Sequence, residues 1–328
     1  MNRVNNIPFL RLILAIIVMI RHFIVLNGET IESGIRFLSF SIFIFFILSG
    51  MLVFASFEKN PEIKTYFKKR FLRIYPAYAF VIVFFSIILV SVSQLGFSDY
   101  FSGDYIRYLI SNLAFLNFLQ PCINDVFSNN AICAINGSLW TLKIEVGFYL
   151  LLPIMYWILK SYRYRTQNII LISIYLLACL YFYYLAEIKD NYLYAKQLPG
   201  AMMYFASGML LYRNYHFLRN NIKLFTLPAV VIIVLHLWLT PIYVLFPISL
   251  AILVFWLSFS LRTIDISFLK ADLSYGIFLF HFPIIQLFAH WEITQQYPIL
   301  AFILVLIITI GLAYFSWNIL EKPFIKRK

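Results

Sequence analysis

The chain has 328 residues, of which 62% are hydrophobic, 20% aromatic and only 12% charged. A soluble domain of this length would be about 25% charged, so a water-soluble globular enzyme is excluded. The net charge of +12 would suit a nucleic-acid partner. However, the basic residues follow the pattern of membrane topology described below, and we expect no nucleic acid.

Apolar residues occur in long runs that suit helices crossing a hydrocarbon layer of about 30 Å. A membrane β-barrel would instead show alternating segments of about ten residues. The sequence therefore predicts an all-α polytopic membrane protein with about ten transmembrane helices. The predicted spans are 8–26, 35–56, 76–95, 140–159, 168–186, 198–212, 224–239, 243–260, 273–290 and 297–317.

The distribution of Lys and Arg between these spans predicts the orientation. If the N-terminus is cytoplasmic, the inner segments hold 19 basic residues and the outer segments hold four. By the positive-inside rule, both termini are then expected in the cytoplasm. Contact of these basic segments with anionic membrane lipid is also expected. The four outer residues are Arg36, Arg107, Lys189 and Lys196.

The longest outer segment is 96–137. Residues 105–119 within it are too polar and too few to span, and they predict an interfacial or re-entrant helix. Cys122 and Cys133 both lie in this segment. In an oxidising compartment they could form a disulfide, and otherwise they would be two free thiols.

The first span carries three ionisable residues, Arg11, Arg21 and His22. Such a group costs about 2.5–3.5 kcal/mol inside a membrane helix, so each is a functional candidate. Arg11 and His22 are eleven residues apart, which places them on one helical face with a rise of about 16 Å. Histidine exchanges a proton near neutral pH, so we favour a catalytic His22 over a buried structural imidazole.

Glu145 is the only carboxylate inside a predicted span. It lies about five residues below the outer end of its helix, at a depth similar to that of His22. A carboxylate there could orient the imidazole and stabilise its cation. The alternative is a structural ion pair of Glu145 with Lys143, or of Lys143 with lipid phosphate.

A basic segment precedes the third span and contains Arg70 and Arg73. Residues three apart share one face of a helix, and planar guanidinium groups suit bidentate binding of phosphate. The alternative is an ordinary cytoplasmic segment that contacts lipid headgroups. The three cysteines form no CxxC motif and no Cys/His cluster, so no metal site is expected.

These residues belong to a series of motifs that resembles the acyltransferase-3 family of integral-membrane acyltransferases. The resemblance runs in family order across nearly the whole chain, with Thr141 where the family usually has Ser. The matching motifs are Arg11 and His22 with ten residues between them, Phe45-Phe-Ile-Leu-Ser-Gly50, Arg70-Phe-Leu-Arg73-Ile-Tyr-Pro76, Leu139-Trp-Thr-Leu-Lys-Ile-Glu145, Leu273-Ser-Tyr-Gly-Ile-Phe-Leu-Phe-His-Phe-Pro283 and Glu321-Lys-Pro-Phe324.

The resemblance implies ten helices and transfer of an acyl group, usually acetyl, from cytoplasmic acetyl-CoA. The acceptors it implies are hydroxyl groups of surface polysaccharides such as lipopolysaccharide O-antigen, capsule or peptidoglycan, at a bacterial inner membrane. It makes His22 the catalytic histidine with Arg11 as its partner, and it places Arg70 and Arg73 at the acyl-CoA phosphates.

The residues and the resemblance together suggest a mechanism. His22, held by Glu145, either deprotonates the acceptor hydroxyl or accepts the acyl group first, and the sequence does not separate these routes. Arg11 or backbone amides would stabilise the oxyanion. Candidates for the substrate path are Trp140, Ser49 and His281, although Ser49 and His281 also fit packing roles.

We find no internal repeat or linker, and we expect one domain, 1–328. Some relatives carry an added soluble domain that completes the transfer. We expect none here, so this chain would acylate the acceptor itself.

Two other classes of protein fit part of the pattern. A transporter or flippase of a lipid-linked sugar would also need intramembrane Arg, His and Glu, but the two related halves typical of transporters are not found. An unrelated class of membrane-bound O-acyltransferases places its catalytic histidine late in the chain, where His236 or His281 would have to serve.

Overall fold

The computed structural model describes residues 5–28 and 33–326, and all their regular secondary structure is helical. Arg3, Arg327 and Lys328, which the orientation argument counts, lie outside the described residues. The α-helices are α1 (Ile7–Leu26), α2 (Ser41–Lys59), α3 (Ile63–Ile88), α4 (Phe97–Tyr100), α5 (Gly103–Leu113), α6 (Trp140–Lys160), α7 (Tyr164–Tyr183), α8 (Tyr192–Ala195), α9 (Leu198–Arg213), α10 (Tyr215–Trp238), α11 (Phe246–Phe259), α12 (Ser274–His290), α13 (Ile293–Gln296), α14 (Pro298–Ser316) and α15 (Lys322–Lys326).

Seven helical stretches in the described part of the chain are long and apolar enough to cross a membrane. This confirms the prediction of an all-helical integral membrane protein. The seven are Ile7–Leu26, Phe37–Lys59, Ile63–Ser91, Gly137–Lys160, Tyr164–Ile188, Tyr215–Trp238 and Pro298–Ile325.

The other three predicted spans also form helices, but shorter ones. α9, α11 and α12 have 16, 14 and 17 residues. At 1.5 Å per residue they measure about 21–26 Å, which is less than the hydrocarbon thickness of about 30 Å. The count of about ten spans therefore stays a prediction.

The third helix begins thirteen residues before the predicted start of its span. The sequence placed the span at 76–95, whereas α3 begins at Ile63 and continues through Pro76. Lys and Arg are good helix formers, so the basic segment is helical. The carboxylate of Glu62 accepts a hydrogen bond from the N–H of Thr65 at 2.9 Å, which satisfies a donor that the first turn leaves open.

The chain divides into two compact units, which we describe separately. The first unit contains residues 5–14, 33–67 and 144–266. Its helices α2 and α9 pack closely, because glycines at the contact leave no side chain between the backbones. A Cβ at Gly50 would lie 2.1 Å from the carbonyl oxygen of Phe205, and one at Gly208 would lie 2.0 Å from that of Ile47. Such small-residue contacts are typical of membrane helices.

The second unit contains residues 15–28, 68–143 and 267–326. Its helix α12 is buried along almost its whole length and packs against α14. Gly276 allows this contact, since a Cβ there would lie 2.7 Å from the Cα of Ala313. The backbone of α12 is thus held deep in the unit, where it positions the side chains discussed below.

The segment 96–137 belongs to the second unit and docks on α12. The side-chain amide of Gln286, which is fully buried, donates hydrogen bonds to the carbonyl oxygens of Ile132 at 2.6 Å and Ala134 at 2.8 Å. Cys122 and Cys133 form a disulfide, with their Cα atoms 5.5 Å apart. Of the two alternatives left open by the sequence, a disulfide or two free thiols, the structure has the disulfide.

Candidate active site

His22 and His281 form a hydrogen-bonded pair in the second unit. Nδ1 of His22, near the end of α1, lies 2.8 Å from Nε2 of His281, in the middle of α12. The rings stack at 5.0 Å between centroids with 18° between their planes. The ring of Phe282 meets His22 edge-on at 5.1 Å. His281 has no exposed surface, so its orientation is fixed by its surroundings.

The hydrogen bonds assign the tautomers of both neutral rings. Nδ1 of His281 lies 2.8 Å from the carbonyl oxygen of Ile277. A carbonyl only accepts, so this nitrogen carries the proton, and Nε2 of His281 is the acceptor. Nδ1 of His22 must then donate, which leaves the lone pair of His22 on its Nε2. An imidazole held at one nitrogen with a lone pair on the other can serve as a general base or a nucleophile.

Asn136 holds α12 beside this pair. Pro283 has no N–H, so the carbonyl of Leu279, four residues earlier, has no helical partner. The side-chain amide of Asn136 donates to that carbonyl at 2.8 Å. Its Oδ1 accepts from the N–H of Ser138 at 3.2 Å and from the Ser138 hydroxyl at 2.7 Å. The start of α6 is thereby joined to the turn of α12 that carries His281.

The residue after Asn136 must be small. A Cβ at Gly137 would lie 2.6 Å from the ring of Phe282, closer than carbon atoms approach without a shift. Because Phe282 packs edge-on against His22, the space at Gly137 helps to set the surroundings of the His22 ring.

Arg73 is tied to the beginning of α12. Its guanidinium forms an ion pair with Asp272 at 2.6 Å, and the hydroxyl of Ser274 donates to the other carboxylate oxygen at 2.7 Å. A carboxylate at this position suits the positive end of the helix dipole. Arg70 lies one turn earlier on α3 and is half-buried. The binding of acyl-CoA phosphates by Arg70 and Arg73 stays a prediction.

Glu145 lies in the first unit, on α6. The hydroxyl of Tyr149, one turn later, donates a hydrogen bond to its carboxylate. The hydroxyl of Tyr66 in turn donates to the carbonyl oxygen of Tyr149 at 3.1 Å. The orientation of His22 by Glu145 stays a prediction. In the second unit, Nζ of Lys143 lies 4.5 Å from the centroid of the Phe118 ring, a cation–π contact.

The remaining candidates lie on three different helices. Arg11 is half-buried on α1, eleven residues before His22, and Trp140 is the first residue of α6. Ser49 is buried on α2, and its hydroxyl has no hydrogen-bond partner in the described part of the chain. Within the described residues, no cluster of three or more His, Cys, Asp or Glu could hold a metal ion.

Sequence reasoning missed Asn136 and Asp272, and it assigned His281 to the substrate path or to packing, and not to a contact with His22. Two local signals were available. Asn136 precedes Gly-Ser at a helix start, which is a capping pattern, and Pro283 leaves an open carbonyl one turn back. Neither signal says which distant helix supplies the partner, so the pairing of His22 with His281 needed the tertiary structure.

Comparisons with known proteins agree with the sequence motifs. The model of the acyltransferase-3 family, an acyltransferase domain, matches residues 4–318. An O-acetyl transferase of Shigella phage Sf6 is 25% identical, covering 100% of this chain and 98% of that protein. Nodulation protein 10 of Rhizobium leguminosarum bv. viciae is 25% identical, covering 98% of this chain and 93% of that protein. No solved structure matches the chain.

Proposed function

This chain belongs to the acyltransferase-3 family, and we propose that it transfers an acetyl group from cytoplasmic acetyl-CoA to a hydroxyl of a surface or lipid-linked polysaccharide. The acceptors that we propose are capsule polysaccharide and the O-antigen of lipopolysaccharide. The full-length similarity to a phage O-acetyl transferase supports acetyl as the acyl group. The helical membrane architecture supports an integral protein, which we assign to a bacterial inner membrane.

We propose ten membrane helices with both termini in the cytoplasm. The excess of Lys and Arg in alternate segments supports this orientation. The disulfide between Cys122 and Cys133 also favours an oxidising outer side for the segment 96–137. α9 and α12 are largely enclosed by protein, so they need not match the lipid thickness by themselves.

The chemical step uses the free lone pair of His22. Nε2 removes the proton of the acceptor hydroxyl while the hydroxyl oxygen attacks the carbonyl carbon of the thioester. When the tetrahedral intermediate collapses, the carbon–sulfur bond breaks, and the CoA thiolate takes the proton from Nε2 of His22. Nδ1–H of His22 donates to Nε2 of His281 throughout, which keeps the ring in the productive tautomer.

The other candidate residues assist this chemical step or bind the substrates. Arg11 stabilises the oxyanion, and Glu145 supports the cationic form of His22. Arg70 and Arg73 bind the coenzyme phosphates at the cytoplasmic side. In this proposal, Trp140 and Ser49 line the substrate path.

The observation that carries the proposal is the hydrogen-bonded pair of His22 and His281. The test compares the O-acetyl content of the host surface polysaccharide by NMR in a deletion strain. The strain is complemented with wild type, His22→Ala or His290→Ala at equal protein levels. His290 is the control because it lies on α12 and contacts Phe127, outside the pair.

Restoration of the acetyl signal by wild type and His290→Ala, but not by His22→Ala, is the expected result. It would also identify the acetylated hydroxyl. Equal restoration by His22→Ala would make that histidine structural. No change with wild type would remove polysaccharide O-acetylation as the function.

A further inference from the structure

A cavity lined by aromatic side chains lies within the first unit, whereas the histidine pair belongs to the second unit. Its volume is about 190 Å³. It is bounded by the last turns of α7 and α10, the first turns of α2 and α11, the second turn of α9, the start of α8 and the loop after α10. None of the residue roles proposed above uses it.

Two stacked ring pairs form the walls of the cavity. Phe43 and Tyr204 lie parallel, with 4.3 Å between centroids and 3° between planes. His236 and Phe246 stack at 4.0 Å and 14°. Rings held in this way present rigid flat faces at low cost in side-chain entropy. Flat apolar faces of this kind match the C–H face of a sugar ring.

Polar groups are placed among these rings. The hydroxyl of Tyr204, a residue only 3% exposed, has no hydrogen-bond partner in the described part of the chain. The N–H of Ile242 donates to Nδ1 of His236 at 2.8 Å, so neutral His236 carries its proton on Nε2 and offers a donor. The hydroxyl of Tyr243 donates to Glu187.

The cavity lies at the end of the first unit that has few basic residues. The segments at this end carry three basic residues, Arg36, Lys189 and Lys196. The opposite ends of the same helices carry most of the basic residues, for example Arg163, Arg213 and Arg219. Under the proposed orientation the cavity therefore faces the outer side, where the polysaccharide is.

We propose that this cavity binds one pyranose ring of the acceptor polysaccharide, an inference that rests on the proposed function. The stacked rings take the apolar face of the sugar, and Tyr204 and His236 hydrogen-bond its hydroxyls. A lipid chain would leave the buried Tyr204 hydroxyl unpaired, which is costly. A quaternary ammonium ion also suits aromatic walls, but it would meet the N–H donor of His236.

The test uses saturation-transfer difference NMR on the purified full-length protein in nanodiscs. The probes are the methyl pyranosides of rhamnose, glucose, galactose and N-acetylglucosamine, with choline chloride as the cation probe. Leu237 lines the cavity, so the larger side chain of Leu237→Trp should fill it. Leu239→Trp is the matched control, since Leu239 is 73% exposed. Tyr204→Phe removes only the hydroxyl, with Tyr156→Phe as its buried control in the same unit.

At least one pyranoside should give signals from the protons of one ring face in wild type. The signals should fall at least fivefold in Leu237→Trp and persist in Leu239→Trp. Tyr204→Phe should weaken binding about tenfold because a hydrogen bond to the sugar is lost, whereas Tyr156→Phe should not. Equal signals in Leu237→Trp and wild type, or binding of choline without any pyranoside, would overturn the inference.

The same variants in the complemented strain separate this inference from the proposed function. If wild type acetylates the polysaccharide and Leu237→Trp does so as well as Leu239→Trp, the cavity assignment fails alone. If wild type does not acetylate it, the proposed function fails, while the NMR experiment still reports on the cavity. Tyr204→Phe keeps the inference testable if the larger tryptophan prevents folding.

Discussion

Nδ1 of His22 lies 2.8 Å from Nε2 of His281, although 259 positions separate the two residues in the chain. The bond from His281 to the carbonyl of Ile277 fixes which nitrogen of each ring carries a proton. In the proposed mechanism His281 is therefore a positioning residue, because it selects the tautomer of His22 that leaves a lone pair on Nε2.

Replacing His281 should lower activity according to whether the new side chain can accept a hydrogen bond. His281→Leu removes the acceptor for Nδ1–H of His22, and kcat/KM for acetyl transfer should fall about 10²–10⁴-fold, the range for a misplaced general base. His281→Gln places an amide oxygen near the former Nε2 and should recover about a tenth of wild-type activity. Acetyl transfer in reconstituted vesicles, with thermal unfolding measured in parallel, checks both. Equal losses in equally stable variants would contradict the role.

Gly137→Ala should reduce activity through Phe282. The added methyl group meets the Phe282 ring, and overpacking of this kind costs about 1–3 kcal/mol. The ring must move, and with it the edge-on contact with His22. Phe282→Leu in the same chain should restore part of the activity by making room. Gly103→Ala is the control, since its Cβ would meet nothing within 4 Å. Wild-type activity in Gly137→Ala would refute this argument.

Substitution of Arg70 and substitution of Arg73 should affect different properties of the protein. Arg70→Gln should raise the KM for acetyl-CoA about tenfold or more, because a charge-assisted phosphate contact is lost. Arg73→Gln should instead lower the thermal stability, and Asp272→Asn should lower it as well. Their double-mutant cycle should give a coupling of about 1 kcal/mol. Additive effects of Arg73→Gln and Asp272→Asn on unfolding would count against the ion pair as a support of α12.

Asp125 should stabilise the segment 96–137 in a pH-dependent way. Burial would raise its pKa, but hydrogen bonds from the Ser93 hydroxyl and the Gln94 N–H lower it below the ordinary 3.8. Its stabilising contribution is therefore complete above pH 3.8 and is lost as the pH falls through the lower value of the folded state. The difference in unfolding temperature between wild type and Asp125→Asn should be constant from pH 7 to 5 and shrink below 3.8. A difference that grows on acidification would contradict this.

The sequence by itself determined the class of protein, because a chain with so few charged residues must place its helices in lipid. The order of motifs from Arg11 to Glu321 determined the family, and the family model confirms it. The spacing of Arg11 and His22 within one helix is also readable, since helical periodicity is local. The start of α3 could not be predicted from the sequence, because a basic segment before an apolar run fits either a loop or a helical extension.

Only the tertiary structure decided what His22 touches. Both His22 and His281 lie in apolar helices, and apolar periodicity shows which face is buried but not which other helix it meets. The same holds for Asn136, whose partner is a carbonyl that Pro283 frees on a distant helix, and for the rings around the aromatic cavity. Contacts between helices depend on how whole faces pack, and that information is distributed over the chain rather than held in any one motif.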